Sequence, residues 1–402
     1  MVGKDRYRIG VFFGGRSVEH DVSIVTAQQV MHALEEGGHT VLPIYIDRSG
    51  NFYQGATLRE IANFETEDWR QQREVAAVLL SPQPRQHGLI VEPLAGRFRA
   101  SRVQRMDVAF PALHGSHGED GSLQGLLELA DIPYVGCGVL ASALANDKWM
   151  TKAVLREAGL PVLDGFLLER DEWLRDSPAI VAAVRERLKY PLIVKPARTG
   201  SSIGIGFAED EASLRAATDI AIAFDHRVLL EERLTDCREI NCAVLGDGQE
   251  LRASPLEQPL SYEEFLSYEE KYLRGGEGMK SAERIIPAPI GEALTESIQE
   301  AARATFAALA GRGTARMDFL LKRDESAFYL NEVNTMPGSL AFYLWQEAGL
   351  KPTEVCEALL EIAFRAAADK RGTRYDHRTE LLGQVAARGL KGAKGAKTRV
   401  GQ

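Results

Sequence analysis

Cysteine is scarce in this sequence, and long apolar segments are missing. The four cysteines have neither CxxC spacing nor nearby histidines, so neither a zinc site nor a disulfide framework is predicted. No stretch approaches the roughly 20 uninterrupted apolar residues that a membrane helix requires. The apolar run from Ile9 to Phe13 ends in glycines instead of extending into a signal-peptide core. We therefore expect a cytoplasmic protein without a membrane partner.

The sequence also has no excess of basic residues, and its formal net charge is −9. Proteins that bind nucleic acids need a clustered basic surface to neutralise phosphates, so a nucleic-acid partner is not expected. The exception is the segment from Lys370 to Gln402, which contains nine Lys and Arg but only two Asp and Glu. This glycine-rich segment lacks apolar periodicity, and we interpret it as a solvated, flexible tail rather than an RNA- or membrane-binding one.

The chain of 402 residues exceeds what one hydrophobic core usually organises, so two or three lobes are expected, with a binding cleft between them. In the first lobe, the apolar runs RIGVFF, VLPIYI and MDVAFPAL alternate with helical patterns, which predicts a parallel sheet with crossover helices. The segment from Thr57 to Ala100 is less periodic and resembles an elaborated connection. Further on, PLIVKPA, VLLEERL and INCAVLG have the composition of antiparallel strands.

A polar cluster lies on two strand patterns joined by the turn-prone sequence KRDES. Glu332 and Asn334 alternate on one strand and therefore face the same side, and Asp318 lies on the other. Their oxygen atoms suit magnesium, which commonly bridges nucleotide phosphates. Arg316 shares the face of Asp318 and could stabilise a transferring phosphoryl group. The alternative is a hairpin whose polar face is merely solvated.

The segment KPARTGSSIGIG, which begins at Lys195, combines a lysine with glycines and serines between two strand patterns. Glycines allow a close backbone approach to a phosphate, and the serines, Ser201 and Ser202, add donors. The spacing of a Walker A loop is missing, so a P-loop fold is not expected. A flexible turn is the alternative, but a lysine on an apolar strand needs an anionic partner.

Three further segments carry weaker signals. LLEERLTDCRE could present backbone groups and carboxylates to a nucleoside, although acidic residues after a strand usually face water. GGRSVEHDVS places Glu19 at a helix N-terminus, where the carboxylate of an amino acid could bind; a dinucleotide site is excluded because GxGxxG is missing. PALHGSHGEDGSLQG places His114 and His117 on a loop after a strand, where α/β ligand sites tend to lie. Without a third partner, a metal site at these histidines is not favoured.

In this order, the segments resemble the ATP-grasp superfamily and specifically the D-alanine:D-alanine ligases. The resemblance spans about Arg8 to Glu361 and rests on seven strings: GGRSVEHDVS, HGSHGEDGSLQG, ASALANDKWMTK, KPARTGSSIG, SYEEKY, ARMDF and NEVNTMPG. It implies an α/β and α+β fold, a three-lobed ATP-grasp architecture with an N-terminal parallel-sheet domain. The implied divisions are an N-terminal substrate-binding domain, central and C-terminal ATP-grasp subdomains and a basic tail, at 1–137, 138–234, 235–368 and 369–402.

The resemblance also implies a role for each candidate residue. The implied ATP-binding residues are Lys148, Lys195, Ser202, Glu231, Glu232, Leu234, Glu239 and Lys271. The implied ligands of two Mg²⁺ ions, for which Mn²⁺ could substitute, are Asp318, Glu332 and Asn334. The implied catalytic residues are Glu19, Ser201, Tyr272 and Arg316. The implied substrate-binding residues are Glu19, His114, Ser339 and Leu340. Lys271 and Tyr272 lie in SYEEKY, which resembles the family's mobile loop.

The expected reaction is ATP-dependent ligation of two D-alanine molecules through a D-alanyl phosphate, by a homodimer, for peptidoglycan precursor synthesis. SYEEKY favours an amine nucleophile over D-lactate. After NEVNTMPG the chain departs from the family, because SLAFYLWQEAG replaces the stretch that receives the second substrate's carboxylate, and Ser339 and Leu340 take that place. D-Serine as acceptor, another ATP-grasp carboxylate-amine ligase and a non-catalytic nucleotide-binding homologue are the alternatives. TDCRE is also one residue longer than the common spacing, which bears on Glu239.

Overall fold

The structure is a computed structural model that describes residues 6–65, 68–91, 102–248, 250–260, 284–375, 377 and 381–388. The chain divides into two compact units, Met1–Phe364 and Arg365–Gln402. No helix within the described ranges is long and apolar enough to cross a membrane. Lys271 and Tyr272 lie outside the described residues.

A mixed sheet of seven strands forms the N-terminal part of the first unit. Strands β1 to β7 are Arg8–Gly14, Thr40–Ile46, Phe52–Gln54, Ala76–Leu80, Gly88–Val91, Arg102–Arg105 and Val108–Pro111. Their order is β6-β5-β4-β3-β2-β1-β7, and β1 pairs in parallel with β2 and β7. The predicted parallel pairing is thus confirmed for three strands. The other four extend the sheet in antiparallel fashion, and the less periodic segment contributes β4 and β5.

Strand β1 is apolar at successive positions because both of its faces are buried. Ile9, Val11 and Phe13 pack in the core that includes helix α1, His20–Glu36, whereas Phe12 packs in a different core. A strand covered on both faces requires apolar residues at successive positions, which explains RIGVFF. The carboxyl end of β1 leads directly into the loop that carries Glu19.

A second sheet contains four antiparallel strands in the order β10-β9-β11-β8. Strands β8 to β11 are Gly165–Glu169, Leu192–Pro196, Gly206–Ala208 and Arg227–Glu232. Helices α2 to α7 are Ala62–Glu65, Ser122–Leu129, Val139–Asn146, Lys148–Glu157, Arg170–Arg187 and Glu211–Phe224. Val194 and Leu230 share a core with residues of α6 and α7. Their neighbours Lys195 and Glu231 therefore point to the opposite face.

A third sheet positions the polar hairpin. Its order is β13-β12-β16-β17. Strands β12 to β17 are Cys237–Asp247, Glu250–Ala253, Gln258–Pro259, Arg284–Ile285, Gly313–Lys322 and Phe328–Asn334, of which β14 and β15 form a separate two-stranded sheet. Helices α8 to α11 are Glu292–Ala308, Phe342–Glu347, Pro352–Arg371 and Leu381–Arg388. Met317 and Phe319 of β16 pack in one core with Phe306 of α8, so the alternate residues Arg316 and Asp318 face away from that core.

Candidate active site

A cleft of about 200 Å³ brings together segments that are far apart in the sequence. Its lining includes Glu19 from the loop before α1, Gly115 from the loop after β7 and Lys148 from the start of α5. Thr199 from the segment after β9 and Glu332 from β17 also line it. Five of the seven strings that carry the family resemblance contribute residues to this lining through these positions alone.

Strands β16 and β17 form the predicted hairpin. Asp318 lies opposite Glu332, and Arg316 lies opposite Asn334. The Arg316 guanidinium holds both carboxylate oxygens of Asp318, with Nε at 2.6 Å from Oδ1 and Nη2 at 2.7 Å from Oδ2. The Asn334 amide donates to Asp318 Oδ2 at 2.9 Å. Arg316, Asp318 and Asn334 therefore form one connected polar group beside Glu332.

An irregularity in this hairpin adds a residue that sequence reasoning missed. Phe319 pairs with Leu330 whereas Asp318 pairs with Glu332, so Asn331 is an extra residue, as in a β-bulge. Its side-chain oxygen accepts a hydrogen bond from Lys195 Nζ at 2.9 Å. The bulge therefore connects the third sheet to the second at the predicted phosphate-binding lysine. No residue type in the sequence marks such a register change.

Negative charge accumulates around Asp318. Burial and the nearby carboxylates of Glu239 and Glu332 raise the pKa of Asp318, and the Arg316 guanidinium opposes them. Glu239 lies on β12 two residues before Asn241, which is paired with Asp318, so it shares the face of the acidic cluster. Carboxylates that raise one another's pKa favour a cation between them. The donor set, two carboxylates and a carboxamide, consists of hard oxygen ligands and fits magnesium with waters and phosphate oxygens completing its shell.

Asp318, Glu332 and Asn334 provide too few ligands to hold a metal ion without other oxygen donors. Within the described ranges, no group of three or more His, Cys, Asp or Glu side chains could hold a metal ion. Magnesium normally keeps several waters and binds through one or two carboxylates plus substrate phosphates. The geometry is therefore compatible with an ion that arrives with a nucleotide.

A buried ion network surrounds the lysine on β9. Lys195 Nζ donates to Glu231 Oε2 at 2.9 Å, and Lys152 contacts Glu231 Oε1. All three side chains are nearly inaccessible to solvent. Burial alone would raise the pKa of Glu231, but Lys152 and Lys195 lower it to about 2. The anionic partner expected for Lys195 is thus Glu231, and Lys152 of ASALANDKWMTK is a member that the sequence interpretation did not single out.

Lys148 reaches the cleft from the first turn of α5. Asp147 caps this helix by accepting the Met150 N–H at 3.0 Å, which fixes the turn that carries the lysine. Lys148 Nζ donates to the Thr199 carbonyl at 2.7 Å and lies 3.8 Å from Glu332 Oε2. The lysine therefore stands between the glycine- and serine-rich segment and the acidic hairpin.

Glu19 and Ser201 meet across the cleft. The Ser201 hydroxyl donates to Glu19 Oε1, and both Ser201 and Ser202 have left-handed backbones with φ of 52° and 59°. Such angles are strained for residues with a Cβ and often mark functional segments. A Cβ at Gly200 would lie 3.1 Å from Glu19 Oε1, so glycine there lets the carboxylate fit closely against the backbone.

Glu119 lies on the glycine-broken loop of HGSHGEDGSLQG, where the sequence pattern indicated no specific role for it. Its carboxylate accepts the N–H of Gly115 at 2.7 Å and that of Met336 at 3.0 Å. Burial, and then the charge of Glu19, raise the pKa of Glu119 to about 8. Glu119 therefore joins the loop after β7 to the segment after β17.

His114 is buried beside the segment that departs from the family. Its Nε2 is 2.8 Å from Thr26 Oγ1, and the Ser339 N–H donates to the same hydroxyl at 3.1 Å. We call Ser339, Leu340 and Ala341 the acceptor segment. All three have left-handed backbones, with φ between 49° and 52°, and Ser339 Oγ is buried without a hydrogen-bond partner among the described residues. A strained turn with a buried unpaired hydroxyl favours a polar ligand there.

Acidification is expected to reduce stability through His114. Burial lowers the pKa of His114 from its ordinary value of 6.5 to about 4. Between these two pKa values the unfolded chain binds a proton that the folded protein does not. Lowering the pH through this range therefore reduces the free energy of unfolding, and His114 accounts for about 3 kcal/mol of the loss. Urea unfolding at about pH 7 and about pH 4.5 measures this loss. The variant His114→Gln should lose less than the wild type over the same interval, and equal losses would contradict the assignment.

Two predicted nucleotide-binding residues, Glu232 and Leu234, lie away from the polar cluster around Asp318, whereas a third, Glu239, lies close to it. Glu232 is exposed, and its Oε1 accepts the Lys189 N–H at 3.0 Å. The Leu234 carbonyl accepts from Cys237 Sγ at 3.2 Å, in the connection between the second and third sheets. Glu239 was expected to bind the ribose. In the structure it lies close enough to Asp318 for its charge to raise the pKa of that carboxylate.

Comparisons with known proteins agree with the fold and the family. The family described as D-ala D-ala ligase N-terminus matches residues 8–137, and the family described as D-ala D-ala ligase C-terminus matches residues 154–361. The D-alanine--D-alanine ligase of Thermosipho africanus is 38% identical over 93% of this chain and 98% of its own length. That of Chloroherpeton thalassium is 35% identical over 91% and 99%.

Two solved structures are similar over most of their length. The VanG D-Ala:D-Ser ligase from Enterococcus faecalis has a TM-score of 0.76 at 31% identity, covering 89% of this chain and 99% of that one. The D-alanine-D-alanine ligase from Coxiella burnetii has a TM-score of 0.77 at 26% identity, covering 96% and 99%. These likenesses confirm the ATP-grasp architecture predicted from the sequence. The chain belongs to the D-alanine:D-alanine ligase family.

Proposed function

We propose that this protein uses ATP to join two D-alanine molecules into D-alanyl-D-alanine for peptidoglycan precursor synthesis. The observation that carries the proposal is the cleft in which Glu19 faces Lys148 and the hairpin residues Glu332 and Asn334. An ammonium-binding carboxylate, a cationic phosphate site and an acidic ion site are the three elements that ligation by an acyl phosphate requires. All three line one cavity in a member of the ligase family.

The nucleotide would bind between the second and third sheets. Lys148 and Lys195 would contact its phosphates, with Ser202 adding a donor. The connection from Glu231 to Glu239, including Glu232 and Leu234, would receive adenine and ribose, and Lys271 of SYEEKY would also contribute to ATP binding. The Lys195–Glu231 pair, whose Nζ and Oε2 are 2.9 Å apart, supports this placement because it fixes the lysine where the two sheets meet.

Asp318, Glu332 and Asn334 would hold two Mg²⁺ ions, for which Mn²⁺ could substitute. Bound there, the ions would neutralise charge on the β- and γ-phosphates. The chain's own contribution is to keep the ligands in place: Asn334 donates to Asp318 at 2.9 Å, and Arg316 holds its two oxygens. Repulsion from the nearby carboxylates of Glu239 and Glu332 contributes to the raised pKa of Asp318. This repulsion supports a cation at this position.

The reaction would proceed in two steps. The carboxylate of the first D-alanine attacks the γ-phosphorus of ATP, which releases ADP and forms D-alanyl phosphate. The amine of the second D-alanine then attacks the acyl carbon, inorganic phosphate leaves and the amine loses a proton. Glu19 would bind the first substrate's ammonium group, and Ser201 and Tyr272 would complete a hydrogen-bonded set that closes the site. Arg316 would stabilise charge on the acyl phosphate and on the tetrahedral intermediate.

The acceptor segment would receive the carboxylate of the second substrate. The buried, unpaired hydroxyl of Ser339 supports this role, and Leu340 would shape the adjoining wall with His114 behind it. D-Serine is the second candidate acceptor, because a solved structure 31% identical to this chain is a D-Ala:D-Ser ligase. Equal concentrations of D-alanine and D-serine, with products separated by mass, would distinguish the two, since excess mixed dipeptide would identify D-serine.

Replacing Glu332 with glutamine is expected to abolish turnover while leaving the fold intact. The side chain is one-third exposed, so its charge has little structural importance, but the predicted ion site loses one of two carboxylates. The loss should amount to about a hundredfold or more in kcat. Phosphate release with ATP, magnesium and D-alanine measures it, and circular dichroism checks the fold. Near-normal activity of Glu332→Gln would refute the role as an ion ligand.

The proposal extends to organisation and place. We expect a homodimer in the cytoplasm, where ATP is available, with an N-terminal domain at 1–137, ATP-grasp subdomains at 138–234 and 235–368, and a tail at 369–402. Sedimentation of the full chain would test the dimer.

A further inference from the structure

A polar cluster behind Arg316 has no place in the mechanism described so far. Glu257 is 4% exposed, and its carboxylate accepts a hydrogen bond from Tyr343 Oη at 2.6 Å. Arg284 Nη1 lies 3.2 Å from the other oxygen, and the Arg284 guanidinium lies 4.2 Å from the centre of the Tyr343 ring. A buried carboxylate with this many partners is costly to assemble, so its position calls for an explanation.

Glu257 is attached by its backbone to the strand beside Asp318. The N–H and carbonyl of Glu257 exchange hydrogen bonds with Asn241 at 2.9 and 2.8 Å. Asn241 in turn lies opposite Asp318 in the β12–β16 pair, and Asp318 holds Arg316 through two hydrogen bonds. Glu257 is therefore rigidly placed relative to the arginine, and the pKa of Arg316 is affected by the charge of Glu257.

Tyr343 connects the same carboxylate to the acceptor segment. It lies in α9, two residues after Ala341, and the acceptor segment is held at its other end by the Ser339–Thr26 hydrogen bond. Three consecutive left-handed residues are strained, so the turn persists only if both of its ends are fixed. The Tyr343–Glu257 hydrogen bond supplies the second fixed end. Burial raises the pKa of Tyr343, which keeps its hydroxyl protonated as the donor.

We infer that Glu257 and Tyr343 are positioning residues that hold the acceptor segment in register with Arg316, so that the second substrate's amine reaches the acyl phosphate before water does. This inference rests on the proposed ligase function and adds to it a determinant of acceptor capture. Tyr343 belongs to SLAFYLW, the stretch in which this chain departs from the common pattern. The pair touches neither the nucleotide lysines nor Glu19 in the described contacts, so formation of the acyl phosphate does not depend on it.

The test compares phosphate released with dipeptide formed in the full-length protein with ATP, magnesium and D-alanine. The wild type should release one phosphate per dipeptide. In Tyr343→Phe and in Glu257→Gln, the KM for the second D-alanine should rise about tenfold, which corresponds to loss of one charge-assisted hydrogen bond, and phosphate should exceed dipeptide. The KM for ATP and for the first D-alanine should stay unchanged. Tyr53→Phe is the matched control, since Tyr53 packs on Trp69 in the N-terminal sheet.

A double-mutant cycle gives a second, independent readout. If the two side chains act through one hydrogen bond, the double variant should show the same excess of phosphate as either single variant. The inference would be overturned if Tyr343→Phe still released one phosphate per dipeptide. It would also be overturned if phosphate and dipeptide fell in proportion. If the wild type itself makes no dipeptide, the proposed function fails; if it does and Tyr343→Phe behaves like Tyr53→Phe, only this inference fails.

Discussion

Replacing Arg316 with lysine is expected to lower kcat for dipeptide formation by about a hundredfold to a thousandfold. The substitution keeps the positive charge but removes the fork that holds both oxygens of Asp318, and lysine does not reproduce bidentate geometry. In the proposed mechanism the guanidinium acts on charge that develops during the reaction, so the KM values should change much less than kcat. Steady-state kinetics with ATP and D-alanine varied separately measure both parameters.

The matched control for this substitution is Arg303→Lys. Arg303 also forms a two-pronged contact with a carboxylate, that of Glu300, but on an exposed helix surface where an ion pair contributes little. Its kinetics should equal those of the wild type. If Arg316→Lys retained wild-type kcat, or if its effect fell entirely on the KM for ATP, Arg316 would not stabilise the reacting groups.

Replacing Glu231 with glutamine is expected to lower the free energy of unfolding by about 3–5 kcal/mol, the usual result of removing one partner from a buried ion pair. Both Lys152 and Lys195 depend on this carboxylate, and neither lysine has solvent to replace it. Urea unfolding at neutral pH measures the change. The KM for ATP should rise as well, because Lys195 loses the contact that orients it.

Glu232→Gln provides the control for the neighbouring position. Glu232 is exposed, and its interaction with the Lys189 N–H is one that a glutamine oxygen can also accept. We expect its stability to remain close to that of the wild type. If Glu231→Gln were as stable as Glu232→Gln, the network around Lys195 would not hold this part of the site together.

Periodicity accounts for much of what the sequence could predict. The alternation in ARMDF and LNEVN predicted that Asp318, Glu332 and Asn334 converge on a hairpin, and in the structure Asp318 lies opposite Glu332. Lys195 on an apolar strand required an anion, and Glu231 supplies it. The rule applies because a strand has two faces, so that a charged residue between apolar ones must point to the side away from the core.

Contacts between distant segments account for much of what could not be predicted. Glu119 binds the backbone of Met336, 217 residues away, and Tyr343 binds Glu257, 86 residues away. The position of Asn331 depends on a bulge, and the left-handed turn of the acceptor segment contains no glycine. Each is set by packing between sheets rather than by local propensity, so a pattern within one segment contains no sign of it.

The antiparallel strands β4 and β5 illustrate the same limit within the N-terminal sheet. Val78 and Leu80 of β4 are buried, whereas Leu79 between them is 48% exposed. An exposed leucine interrupts the alternation of apolar and polar residues by which a half-buried strand is identified. The segment therefore resembled a connection, although its backbone completes the sheet.

The most direct test of the account is to supply the protein with ATP, magnesium and D-alanine alone, and to identify the product by mass while measuring phosphate release. The account predicts D-alanyl-D-alanine with one phosphate per dipeptide, and no product with L-alanine. Phosphate release without dipeptide from D-alanine, or no release with any amino acid, would contradict it.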